Sequence, residues 1–364
     1  MTPARCAVIL GTSALALTAL VAAPAAASLA VGAVVADRGT PSQAGTPAVA
    51  SMARTPTRPP GREWPSFGYD AALRELVLFG GDNLASANAS GGFRGTWTRI
   101  GSRWTKRHPA NSPSGRTGAA MAYDAATRQL LLFGGSSPGG GVDAQTWVWT
   151  GSNWRRLYPP VSPRARADAN LVYDAATREL LLFGGYQGRT YGYQDRTYFG
   201  DTWTWTGRAW HRLHPVTSPP ARTDASMVYD AATRTVILFG GYGSPATNRT
   251  ALWAWNGTTW RKLRSTSPIG AGFAWQAAYD PASKQLLIFG AGGDRYPPPD
   301  WLWVWTGHSW RKLHPAASPQ GRELGSMIYD SGIKQTVLFG GGGTPPSSYP
   351  NSTWTWNGST WHLG

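Results

Sequence analysis

Between residues 62 and 364 the apolar positions fall in short runs and alternations, with none of the three-and-four spacing of an amphipathic helix. One stretch shows the whole pattern. Asp168 to Tyr173 is a small-residue segment that predicts an inner strand, and Asp174-Ala175-Ala176-Thr177-Arg178 predicts a turn. Leu180 to Phe183 is a continuous apolar run, as expected of a strand buried on both faces, and Gly184-Gly185 ends it. Thr202-Trp203-Thr204-Trp205 alternates, which places both indoles on one face of a third strand. After a Thr206-Gly207 turn, Trp210 to Leu213 predicts an outer strand.

The pattern recurs six times, marked by Tyr-Asp pairs at Tyr69-Asp70, Tyr123-Asp124, Tyr173-Asp174, Tyr229-Asp230, Tyr279-Asp280 and Tyr329-Asp330, at intervals of 54, 50, 56, 50 and 50 residues. A period near 50 with four strands per unit is that of a propeller blade. No unit buries enough apolar surface to persist alone, so each must lean on its neighbours in a closed ring. The expected fold is all-β: a six-bladed β-propeller with four antiparallel strands per blade. The first and sixth blades are expected to meet through side-chain packing alone, with no strand exchanged between the ends, although the segment before residue 62 could add an outer strand.

That N-terminal segment is different in kind. Arg5, the apolar stretch Ala7 to Ala23 and Ala25-Ala26-Ala27 read as a signal peptide over residues 1–27; the alternative is an uncleaved membrane anchor. Residues 28–61, with Pro41, Pro47, Pro56, Pro59 and Pro60, read as a disordered Pro/Ala-rich linker ahead of a propeller at 62–364. The chain is thus expected to be secreted or displayed at the cell surface. Cys6, the single cysteine, lies in the signal, so the processed chain has no disulfide and no thiolate chemistry. Without Arg5 the chain keeps 33 basic against 19 acidic residues, which favours anionic partners by long-range attraction. The cations are spread over the repeats and no nucleic-acid-binding motif is present, which disfavours nucleic acid.

An apolar strand ending in di-glycine, then spaced aromatics, then a proline and an arginine before the next unit, resembles the kelch repeat. The di-glycines are Gly80-Gly81, Gly134-Gly135, Gly184-Gly185, Gly240-Gly241 and Gly340-Gly341, with Gly290-Ala291 in the fifth unit. The late aromatic is Trp104, Trp154, Trp210, Trp260, Trp310 and Trp361. Where the family has a tyrosine before it, this chain has Trp149, Trp205, Trp255, Trp305 and Trp356, and Arg99 in the first unit. The resemblance, in a galactose-oxidase-like form of the repeat, implies a binding mouth on the face formed by the loops entering the inner strands and the loops after the di-glycines. Copper radical oxidases share the architecture, but their chemistry needs a cysteine that the processed chain lacks. Sialate-isomerising kelch propellers carry arginine and carboxylate at the mouth.

Seven residues before five of the repeated tyrosines stand Arg62, Arg116, Arg166, Arg222 and Arg322, with Gly272 in the fifth unit. Such a ring would present guanidinium forks to an anionic ligand, or each arginine would tie its own blade loop together. Tyr186, Tyr191 and Tyr193 make the third loop aromatic and suited to stacking on sugar rings, or to packing on itself. Glu63 with Glu323, and Asp168 with Asp224, match in repeat position on adjacent blades and are the candidate acid and base pairs. His108, His214 and His314 recur on separate blades, which argues against a shared metal site, and no cofactor is expected. The reading is an exported, non-catalytic, monomeric binding propeller for an anionic glycan, a cell-envelope polymer or a protein. The alternative is a carbohydrate-active enzyme, isomerase or hydrolase, using the mouth arginines and carboxylates.

Overall fold

The computed structural model describes residues 57–83, 93–137, 139–188, 195–243, 251–266, 276–290, 299–343 and 349–364. The segments read above as signal and linker lie outside these apart from residues 57–61, as do Tyr191, Tyr193 and Gly272. All strands fall within one unit, Thr55–Gly364.

The chain forms six four-stranded antiparallel sheets, each built from strands consecutive in sequence. In the first blade these are Ser66–Asp70, Glu75–Phe79, Thr96–Ile100 and Arg103–Arg107. The first strands of the six blades touch in sequence order, and the sixth touches the first, so they line a closed ring. The second strands are the best buried: Leu76 to Phe79, Leu130 to Phe133, Leu180 to Phe183 and their equivalents are almost solvent-free, as their unbroken apolar runs require. Their side chains alternate between the two faces of a blade, so each hydrophobic cluster draws on two neighbouring blades.

The outer-strand tryptophans stitch those interfaces. Trp104, Trp154, Trp210 and Trp260 donate their indole N–H to Thr353, Thr96, Thr146 and Thr202 of the preceding blade at 2.9–3.0 Å. In the fourth and fifth blades that threonine is replaced by Leu252 and Leu302, and the indole nitrogens of Trp310 and Trp361 are buried without a partner. The repeated tyrosines act on the opposite face: Tyr123, Tyr229, Tyr279 and Tyr329 each stand beside the turn aspartate of the preceding blade. That aspartate caps its own turn, as where Asp70 Oδ1 accepts from the backbone N–H groups of Ala72 and Leu73 at 3.0 and 3.1 Å.

Three features differ from the sequence reading. The inner strand of the third blade is Asn170–Asp174, and Asp168, with φ +52°, lies ahead of it. The third blade also carries an extra ribbon, Tyr186–Gln187 paired with Thr197–Tyr198. Among the described residues closure exchanges no strand, as expected, yet it does not rest on side chains alone. Across the seam Trp64 N–H donates to Leu324 C=O at 2.9 Å, Gly341 N–H to Arg62 C=O at 2.8 Å, and Ser326 Oγ to Pro65 C=O at 3.1 Å. The first two repeat bonds made at other blade junctions, such as Asp168 N–H to Gly118 C=O, so the seam is one more copy of the same interface.

Candidate functional site

The site is built around the residue two positions after each repeated arginine. Trp64, Gly118, Asp168, Asp224 and Leu324 all have left-handed φ, between 46° and 61°. A tryptophan or a leucine there is costly, about 1–3 kcal/mol, and persists only where the surroundings over-determine it. Inter-blade backbone bonds do so: Trp64 donates to Leu324, Gly118 to Trp64, and Asp168 to Gly118. The resulting collar turns these side chains toward the axis, where they line a cavity of about 210 Å³ together with Ser326.

Both predicted carboxylate pairs come together, but only Asp168 and Asp224 line this cavity; Glu63 and Glu323 lie near each other outside its lining. Asp168 and Asp224 lie on adjacent blades, half-buried, with the Asp168 carboxylate in the space that a side chain on Gly118 would fill. Burial, then the Asp224 charge, raises Asp168 well above the usual carboxylate range, and nearby Arg196 offsets part of this. Burial pushes Asp224 up to about 6, against the pull of Arg196 and of a hydrogen bond from the Trp64 side chain. Trp64 belongs to the first blade and Asp224 to the fourth, so that indole crosses the ring. Glu63 is pushed up to about 7 by burial and then by the charges of Glu323 and Asp82, and burial raises Glu323 as well.

These shifts carry a pH dependence. Glu63 binds its proton near 4.5 in the unfolded chain and at about 7 in the fold, so between these values the folded state holds more protons and stability falls as pH rises. Thermal melts are therefore expected to show a higher Tm at pH 5 than at pH 8. Glu63→Gln should raise the Tm at pH 8 and keep little of that gain at pH 5. A gain of equal size at both values would show that Glu63 is not the titrating group.

The arginines take a different place from the anion-binding one. Arg62, Arg116, Arg166, Arg222 and Arg322 are 4% exposed or less. Each Nε–H donates to the carbonyl two residues back, and each guanidinium donates to the first glycine of its own blade's di-glycine, at 2.7–3.2 Å. The cause lies in those glycines. With φ near +70°, Gly80, Gly134, Gly184 and Gly340 bring their backbone against the next blade's arginine carbonyl, closer than a Cβ would allow, and their own carbonyls, like that of Gly240, turn inward and need a donor. Desolvation lowers Arg62 to about 9 and Arg222 and Arg322 to about 10. Arg166 also pairs with Asp201 at 2.6 Å and lies 4.0 Å from the centre of the Phe199 ring. These side chains hold the loops that form the mouth and are not among the residues lining its cavity.

Tyr186 is likewise interior, 1% exposed, with the Arg196 guanidinium 3.9 Å over its ring, so it offers no stacking face. Trp64 and Arg196 were not among the candidates read from the sequence. Trp64 had a signal: it stands at the repeat position that carries Asp168 and Asp224. A larger hollow of about 390 Å³ beside the third blade is lined by Arg164, Tyr198, Asp201 and Trp203, but the acid pairs do not reach it. Among the described residues no group of three His, Cys, Asp or Glu side chains could hold a metal ion, and His108, His214 and His314 are separate and exposed.

The model of the KLHDC2/KLHL20/DRC7 Kelch-repeats domain matches residues 72–290. The solved structure of YjhT superposes with a TM-score of 0.62 over 85% of this chain and 99% of that one, at 15% identity, a likeness that speaks to the fold alone. No curated protein matches the chain. With more than half the chain matched by that model and six blades closed as described, the chain belongs to the kelch-repeat family of β-propellers.

Proposed function

We propose that this kelch propeller is an exported, non-catalytic binding protein whose mouth takes a hydroxyl-rich glycan of the cell envelope. The observation that carries the reading is the convergence of Asp168 and Asp224 from adjacent blades, with Trp64 from a third, on one cavity of about 210 Å³. Carboxyl groups that titrate near neutrality offer both donors and acceptors, which suits vicinal sugar hydroxyls, and an indole offers a face for the C–H side of a ring. The cavity has room for about one sugar ring. With the arginines in the interior and acids at the opening, neutral or amino sugars fit this mouth better than the anionic glycan a guanidinium ring would have taken. The Ala-rich segment at residues 7–27 supports export.

A carbohydrate-active enzyme is the second reading. It is favoured by Asp168 and Asp224 standing side by side with both carboxyls raised by burial, since acid and base work needs paired carboxyl groups that can hold a proton near neutrality. A glycan array followed by calorimetry, with product analysis of every bound sugar, separates the two. The expected outcome is binding without turnover and at least a tenfold loss of affinity in Asp168→Asn and Asp224→Asn. Conversion of the sugar by wild type that stops in those variants replaces the binding reading with the enzymatic one; unchanged binding in both removes the mouth.

A further inference from the structure

The face opposite the mouth carries a second pattern. Each turn between the first and second strands of a blade ends in one residue with left-handed φ: Arg74, Arg128, Arg178, Arg234, Lys284 and Lys334, between 55° and 64°. Glycine or asparagine fits that conformation with less strain. Lys and Arg make up 34 of the 364 residues, yet they fill this position in all six blades, which turn propensity does not explain. All six are exposed.

These turns follow the strands that line the channel, so the six cations encircle its basal opening. Two stand beside the inner strands themselves: Arg128 lies near the Tyr123 side chain and Arg234 near that of Tyr229. The acids of the same turns do not face outward. Asp70, Asp124, Asp174, Asp230, Asp280 and Asp330 are buried, and all six accept turn N–H groups. Glu75 is also buried, bonded to Arg107 and Trp149, which leaves the half-buried Glu179 as the acid beside a ring member.

We propose that this basal ring of six cations is a binding site for a phosphate polymer, a chain of closely spaced oxyanions that engages several blades at once. A single exposed cation holds a phosphate weakly, and one phosphate meets only one or two of them. A polymer joins those weak contacts, since each phosphate after the first binds at the high effective concentration set by the chain. Guanidinium forks suit phosphate oxygens, and a linear polyanion accepts the spacing from blade to blade without a shaped pocket.

The test uses inorganic polyphosphate and the full chain. In Arg128→Asn/Arg178→Asn/Arg234→Asn the new residue suits the left-handed turn, so thermal melts should match or exceed wild type. Its affinity for polyphosphate is expected to fall at least tenfold, and the slope of log K against log salt to drop by roughly half. The control removes as many exposed cations from three outer strands, in Arg155→Gln/Arg261→Gln/Arg311→Gln, and should keep most of the affinity. An equal loss in the control would assign binding to net charge and overturn the ring. So would binding to phosphatidylglycerol vesicles without binding to polyphosphate.

Discussion

Arg166→Ala is expected to lower the unfolding free energy by about 3–5 kcal/mol, whereas the exposed Arg128→Ala changes it by less than about 0.5 kcal/mol. Arg166 is fully interior and donates to Arg164 C=O, to Gly184 C=O and to both oxygens of Asp201, so its removal takes a donor from two carbonyls and leaves the Asp201 carboxylate without its counter-charge, held by the Trp203 indole. The carboxylate sets a pH signature. Asp201 lies below its usual range despite burial, through hydrogen bonding to Arg166 and that charge and through the Trp203 indole. Its contribution is therefore present above about pH 4, the unfolded carboxylate value, and is lost as pH falls through the lower folded value. Denaturant melts from pH 7 to pH 3 should show wild type losing that increment and Arg166→Ala having little of it to lose. A cost below about 1 kcal/mol at pH 7 would mean that the guanidinium is not the tie the geometry describes.

Trp104→Ala and Trp154→Ala are expected to cost nearly the same, about 3–5 kcal/mol each, in single cooperative transitions with unchanged denaturant slopes. Trp154 joins the second blade to the first, bonding Thr96 and packing on Phe79 at 5.4 Å. Trp104 joins the first blade to the sixth, bonding Thr353 and packing on Phe339 at 5.2 Å. Equal costs follow if the seam is an ordinary junction. The seam does differ in one residue, for Arg99 is buried beside Asp330 where other blades place an indole. A markedly smaller cost at Trp104, or a separate early transition, would show that the ring opens there first.

Strand positions were legible because each blade repeats one local pattern, and each part of it has a local cause. Leu180 to Phe183 is apolar on both faces, Trp203 and Trp205 alternate, and Asp174 caps its turn through neighbours two residues away. The carboxylate pairs were legible for a related reason, since equal repeat positions on adjacent blades must come close. The arginines were not. Sequence places them at the mouth but does not say which way a long side chain turns, and the inward-facing glycine carbonyls, formed only by the folded di-glycine, decide that. Trp64 was missed because its partner Asp224 lies across the whole ring, a distance no repeat spacing reports.

From the chain alone came the six blades, their strand order and the turns, because these rest on contacts within about fifty residues. Only the closed ring decided which charges are interior, which acids stand together at the mouth and which cations encircle the base. Burial and charge coupling depend on distances between blades, and those distances exist only once the first blade has met the sixth.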